Sequence, residues 1–243
     1  MAQGLIITGG GRGIGAATAR LAAQRGYAVC VNYARNQAAA EAVAAEIKSG
    51  GGTAFAAQAD VGDEKDVARL FDAAEKAFGP VRYLVNNAGI TGRIGKFADL
   101  DIDVMRDVFE TNVVGSMLCA REFVRRCAGT GAIVNVSSTA ATTGSPAEYV
   151  HYAASKAAID SFTIGLAKEM APQGIRVNAV APGATLTDIH AAGGEPGRPD
   201  RIKSRIPMGR LAEPEEIAPA ILWLLSDEAS YVTGAILRAG GGF

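Results

Sequence analysis

The apolar run Leu5-Ile6-Ile7-Thr8 breaks straight into Gly9-Gly10-Gly11-Arg12-Gly13-Ile14-Gly15, and no other stretch restricts the fold as tightly. An alanine-rich amphipathic stretch follows over residues 14–25 and stops at Gly26. That order predicts a strand, a tight turn and a helix. A second apolar run from Tyr27 to Tyr33, centred on Val29 and Val31, predicts the next strand. Two strands joined through a helix make a right-handed βαβ unit. The glycines say what such a unit can hold. A helix N-terminus presents unpaired N–H groups and the positive end of the helix dipole. A pyrophosphate fits there when no Cβ stands in the way, and glycine also permits the turn itself. The spacing Gly9-x-x-x-Gly13-x-Gly15, preceded by Thr8, differs from the general dinucleotide pattern G-x-G-x-x-G.

The alternation continues along the chain. Strands are predicted over 54–59, 81–85, 132–136, 175–180 and 234–238. Helices are predicted over 37–48, 63–78, 103–127 and 213–225, with a further long helix through Tyr152 to about Gly174. Ser145-Pro146-Ala147-Glu148, ahead of that helix, has the form of a capping box with Pro at the first helical position. Strict alternation of strand and helix predicts a parallel sheet covered on both faces. The expected architecture is therefore one α/β domain of Rossmann type, a seven-stranded parallel sheet spanning residues 1–243. Residues 184–207 break the rhythm with Gly193-Gly194-Glu195-Pro196-Gly197-Arg198-Pro199 and are expected to form a loop serving as a substrate lid.

Composition excludes several other functions. The 243 residues carry a net charge of −1, which offers no broad basic field to nucleic acid or an anionic membrane. No run approaches 18 apolar residues, and no basic region with a long apolar core opens the chain. A cytoplasmic protein is the expectation. Cys30, Cys119 and Cys127 are odd in number and lack metal spacing, which reads as reduced thiols. His151 and His190 are too isolated for a metal cluster, so no metal is expected. His190 reads as solvated, and Asn178 as a core residue bonded to backbone. Tyr149 and His151 flank Tyr152 and face either substrate or solvent.

In an open parallel sheet, ligands bind beyond the carboxyl ends of the strands. Gly9 to Gly15, Asp60, Asn86-Asn87-Ala88-Gly89, Ser138 and Pro182-Gly183 all fall at such ends. Tyr152 and Lys156, four apart on one helix, share a face at the same edge. An ammonium near a phenol favours the phenolate and lowers its pKa, which suits Tyr152 to proton transfer near neutral pH.

In these motifs the chain resembles the short-chain dehydrogenase/reductase family over essentially its full length, and within it the group of 3-oxoacyl-carrier-protein reductases and sugar and alcohol dehydrogenases. Thr8-Gly9-x-x-x-Gly13-x-Gly15 resembles the family's cofactor loop, Asp60 its adenine-contacting Asp, and Asn86 to Gly89 its fourth-strand motif. The resemblance implies a catalytic tetrad of Asn112, Ser138, Tyr152 and Lys156, with Asn112 holding a water that links Lys156 to solvent. It implies cofactor contacts from Gly11, Arg12 and Ile14 in the turn and from Asn32, Tyr33 and Arg35 after the second strand. Asp60, Val61, Asn86, Ala88 and Gly89 follow at the next strand ends. Pro182, Gly183, Thr185 and Thr187 complete the set, Thr187 at the position that contacts the carboxamide. A homotetramer is also implied, built through the two long helices and the C-terminal strand.

The end of the second strand, Asn32-Tyr33-Ala34-Arg35-Asn36, has no carboxylate to bind a ribose 2′-OH or repel a 2′-phosphate. Arg12 and Arg35 are the candidate phosphate partners. NADP(H) is therefore expected over NAD(H), in an oxidoreductase that interconverts a small-molecule carbonyl and a secondary alcohol. A cofactor-binding regulator without turnover is the alternative, and the intact Ser138, Tyr152 and Lys156 set stands against it.

Overall fold

The computed structural model describes residues 3–127 and 129–243. In chain order it contains β1 (Gln3–Ile7), α1 (Gly13–Gln24), β2 (Tyr27–Tyr33), α2 (Gln37–Ser49), β3 (Thr53–Gln58), α3 (Glu64–Phe78) and β4 (Val81–Asn86). These are followed by α4 (Ile102–Phe109), α5 (Gly115–Arg126), β5 (Gly131–Val136), α6 (Ala140–Thr143), α7 (Val150–Met170) and β6 (Ile175–Pro182). The last elements are α8 (Ile189–Ala192), α9 (Arg198–Lys203), α10 (Pro214–Leu225) and β7 (Ile236–Ala239). The seven strands form one sheet in the order β3-β2-β1-β4-β5-β6-β7, every neighbouring pair parallel.

The strands read as continuous apolar runs because both faces of the sheet are buried. Successive side chains alternate faces. Leu5 and Ile7 of β1 pack into one core with α1, α2 and α10. Ile6, between them, packs into the other core with α3, α5 and α7. The order reverses direction between β1 and β4, and this switch point opens the crevice at the carboxyl edge.

Three local expectations are corrected. The helix expected over 103–127 is interrupted by a π-helical turn at Glu110–Val114 between α4 and α5. Its apolar periodicity runs through the interruption, so the sequence carries no mark of it. The capping box at Ser145–Glu148 does not form. Ser145 and Ala147 take left-handed backbone conformations, with φ of 43° and 60°, and α7 begins only after Tyr149. Glu148 instead accepts hydrogen bonds from Arg198 and Arg201. Residues 184–207, expected as a loop, contain the short helices α8 and α9. Asn178 does bond backbone, donating to Val232 O and accepting from Ala235 N–H. Among the described residues, no helix is long and apolar enough to cross a membrane.

Candidate active site

The loops at the carboxyl edge are tied together before any ligand is considered. The Thr8 hydroxyl accepts from the N–H groups of Asn87 and Ala88 and donates to Val85 O, joining the loops after β1 and β4. The Asn32 side chain accepts from Gly9 N–H at 3.2 Å and donates to Ala59 O at 3.0 Å, joining those after β1, β2 and β3. Asn87 donates to the carbonyls of Thr8 and Gly9.

The glycine turn is close-packed. A Cβ on Gly15 would stand 2.4 Å from Gly9 O, and one on Gly13 would meet Thr187 at 2.9 Å. Arg12 is the N-cap of α1, and no side chain caps the first turn or places an acid in it. The N–H groups of that turn therefore remain available to an anion.

A cavity of about 1160 Å³ runs from this turn to Tyr152. At one end it is lined by Gly9, Gly11, Arg12, Gly13 and Ile14, and by Asn32, Tyr33 and Arg35. Asp60, Val61, Ala88 and Gly89 continue the wall, and Pro182, Gly183, Thr185 and Thr187 face the middle. Ser138, Tyr152 and Lys156 line the other end. The volume slightly exceeds the usual range of a ligand pocket, about 300–1,000 Å³. An uncapped, glycine-rich helix start opening into such a volume fits a dinucleotide.

Four residues expected at the site support it from behind. Thr8 and Gly15 do not line the cavity; they set the turn. Asn86 is buried beneath it, donating to Ser116 O and Asn135 Oδ1, and its neighbour Asn87 lines the cavity in its place. Asn112 is also fully buried. Its side chain accepts from Ile90 N–H and donates to Ile90 O and Ser155 Oγ, fixing the loop after β4 against α7.

Lys156 Nζ donates to Val136 O at 2.7 Å and stands 5.7 Å from the Tyr152 ring centroid. Burial pushes this ammonium down to about 8, against the favourable charge of Asp160. The expected lowering of the Tyr152 pKa is not what the protein groups produce. Burial dominates and pushes the phenol up, and Tyr149 adds to it. A hydrogen bond with Ser138 and the charge of Arg198 oppose the rise. Tyr152 is thus a neutral acid near pH 7. Ser138 also accepts from Ala140 N–H, which fixes its hydroxyl at the start of α6.

Arg198, Glu148 and the apolar side chains of Ile202, Ile206 and Phe243 also line the cavity, and no sequence pattern links them as a group. His190, expected in solvent, is buried and bonds Thr185 O and Arg198. His151 is buried against Thr91 O, which leaves Tyr149 as the flanking residue that lines the cavity.

A family profile described as Enoyl-(Acyl carrier protein) reductase matches residues 9–243. An uncharacterized oxidoreductase of Escherichia coli (strain K12), YgfF, is 53% identical over 98% of each chain. The cis-4-hydroxycyclohexanecarboxylate dehydrogenase of Sinomonas cyclohexanicum is 43% identical, over 98% of this chain and 95% of its own. A short-chain dehydrogenase from Burkholderia cenocepacia J2315, solved in complex with NADP, superposes with a TM-score of 0.93 at 35% identity. That match covers 99% of this chain and 97% of the Burkholderia chain.

Proposed function

The chain belongs to the short-chain dehydrogenase/reductase family, and from that premise we propose that it interconverts a carbonyl and a secondary alcohol with NADP(H). The single cavity that joins the uncapped start of α1 to Ser138, Tyr152 and Lys156 carries this reading. The nicotinamide cofactor, when bound, supplies the hydride. Gly9, Gly11 and Gly13 leave the helix start open to its pyrophosphate, and Thr185 and Thr187 stand between that turn and Tyr152 as candidates to orient the nicotinamide end.

Tyr152 holds the proton that a carbonyl oxygen takes up on reduction. Ser138 orients that oxygen as charge develops on it. Lys156, still cationic at pH 7, favours release of the Tyr152 proton. Asn112 acts through position, holding the loop before Ile90 against the helix that carries Tyr152. Segment 184–207 serves as the substrate lid, pinned through Arg198 and Arg201 to Glu148.

The preference for NADP(H) is supported by the absence of a carboxylate among residues 32–36 and by Arg12 and Arg35 at the cavity wall. Among the described residues, no carboxylate stands within 4 Å of either guanidinium. The protein is further proposed to work in the cytoplasm as a homotetramer.

The test is steady-state reduction of a ketone panel. We expect kcat/KM with NADPH to exceed that with NADH at least tenfold; comparable values overturn the cofactor assignment. Tyr152→Phe is expected to lower kcat by about a hundredfold to ten-thousandfold while NADPH binding, read by fluorescence, stays within twofold. Turnover retained in that variant removes Tyr152 from the mechanism. Oxidation of NADPH by any member of the panel also separates this reading from cofactor binding without turnover.

A further inference from the structure

Beside Tyr149 the cavity wall includes Arg198 and Ile202 of α9, then Arg205, Ile206 and Phe243, and here three guanidiniums surround one carboxylate. Glu148 accepts from Arg198 at 2.6 and 3.1 Å and from Arg201 at 2.9 Å, and Arg205 stands 3.7 Å away. Arg201 has a second partner in Glu195, at 2.6 and 2.8 Å. Three arginines therefore share two carboxylates.

The distances identify the guanidinium left over. Arg198 is buried and makes four hydrogen bonds, two to Glu148 and one each to the Tyr149 hydroxyl and His190 Nδ1. That leaves one of its five N–H groups free. Arg201 is held by both carboxylates. The Arg205 guanidinium makes no hydrogen bond among the described residues, and its carbon lies 6.0 Å from the Phe243 ring centroid.

Arg198 and Arg205 line the cavity, in the same part of the wall as Tyr149, Ile202, Ile206 and Phe243. The other acidic lining residues lie elsewhere: Asp60 and Asp63 after β3, Asp107 and Glu110 on the helical run after β4, and Asp188 next to Thr187. An apolar wall ending in a solvent-exposed guanidinium, held only by a long ion pair to Glu148, fits a carboxylate, which a guanidinium can grip through two parallel N–H groups.

We propose that the substrate is an oxo acid, or the corresponding hydroxy acid, whose carboxylate is received by Arg205 with the free N–H of Arg198 behind it. Its apolar middle lies along Tyr149, Ile202 and Ile206, and its carbonyl carbon reaches Tyr152. The spacing follows from the aromatic pair. The Arg198 guanidinium lies 4.8 Å from the Tyr149 ring centroid, and that ring lies 5.1 Å from the Tyr152 ring. One ring thus lies between the Arg198 end of the cluster and Tyr152, so γ- and δ-oxo acids, in which carbons separate the carboxylate from the carbonyl, are the substrates to test. The carboxylate is unchanged by the reaction; hydride and proton add across the C=O bond. This inference rests on the oxidoreductase reading of the same cavity.

The experiment compares 4-oxopentanoate and 5-oxohexanoate with their methyl esters in NADPH-dependent reduction. The acids are expected to exceed the esters in kcat/KM at least tenfold. Arg205→Met is expected to bring that ratio toward one, and Arg205→Lys to restore part of it. Esters reduced as well as acids, or a ratio that Arg205→Met does not move, overturns the proposal. A second measurement stands apart from turnover: calorimetric titration of hexanoate and hexanamide in the presence of NADP⁺. Hexanoate is expected to bind at least tenfold tighter, with the difference lost in Arg205→Met. Equal binding overturns the carboxylate site. A clear difference in a protein that reduces neither oxo acid shows a carboxylate site and overturns the oxo-acid substrate.

Discussion

Lys156 is a cation held in a place that disfavours cations. Its ammonium is buried, only one of its three N–H donors is engaged, by Val136 O, and burial brings its pKa from 10.5 to about 8. The folded-state value lies below the unfolded one, so the unfolded chain binds more protons between about pH 8 and 10.5. The penalty on the folded state is complete below pH 8 and is relieved as pH rises toward 10. Lys156→Met is therefore expected to be more stable than the parent at pH 7, by on the order of 1–3 kcal/mol. The advantage should shrink between pH 8 and 10, while turnover is lost. Urea unfolding at pH 7 and pH 9.5 checks both signs, and a variant less stable at pH 7 would show that the ammonium is fully compensated. In the parent, reduction is expected to slow as pH rises through about 8 and Lys156 loses its charge. Tyr152 moves the other way, since burial raises its phenol and keeps it a proton donor across the neutral range. Such a pair is poised for reduction at neutral pH.

At the scale of the element, the π turn at Glu110–Val114 places Asn112 where the site needs it. Turns of this kind are frequent at functional sites. Both polar atoms of the Asn112 side chain are engaged, in two hydrogen bonds with Ile90 and one with Ser155. The packing around it is tight: a Cβ on Gly89 would lie 3.2 Å from Asn112 Oδ1 and 3.4 Å from Lys156 Nζ. Asn112→Ala would leave the part-buried N–H and C=O of Ile90 without their partner, at up to about 1–3 kcal/mol each. We expect a loss of about 2–4 kcal/mol in urea unfolding, accompanied by a lower kcat. A change below about 0.5 kcal/mol, within the range of an ordinary surface substitution, would contradict the role. The sequence announced Asn112 only through a family pattern. Apolar residues repeat at helical spacing across the whole of 103–127, and a π turn changes hydrogen bonding without changing composition. The strands were legible for the opposite reason. A parallel sheet buried on both faces requires apolar runs such as Leu5-Ile6-Ile7, and its topology brings every strand's carboxyl end to one edge. That alone gathers Gly9, Asp60, Ser138 and Pro182 around one cavity. The cluster of Arg198 with Glu148 was hidden because its members stand 50 residues apart, in stretches that look like a turn and a cap. Once Glu148 is drawn to the arginines, it no longer serves as the N3 partner of Ser145, and the predicted cap fails.

At the scale of the whole molecule, the sheet is covered on both faces, yet the outer sides of the covering helices are not uniformly polar. Phe109 is 40% exposed and Met117 37%, and both stand on the helical run that carries the π turn. Val114, at 37%, belongs to the turn itself, and Ile164 on α7 is 40% exposed. We expect these apolar side chains, left outward on neighbouring helices, to form an association surface. They coincide with the helices through which the family resemblance implies tetramer assembly. Light scattering is expected to give four chain masses for the parent. Exchanging Val114 and Met117 for lysine together is expected to give a smaller species with unchanged helical circular dichroism, because charge on this face opposes association without touching either core. A parent that scatters as a monomer would overturn the assembly. The consequence reaches the active site through a single turn of chain. Asn112 points inward from Glu110–Val114 and is fully buried, while Val114 lies outward from the same turn. Dissociation removes the support behind Val114, so kcat is expected to fall in the double variant while NADPH affinity, set at the far end of the cavity by Gly9 to Gly15, stays within about threefold of the parent value.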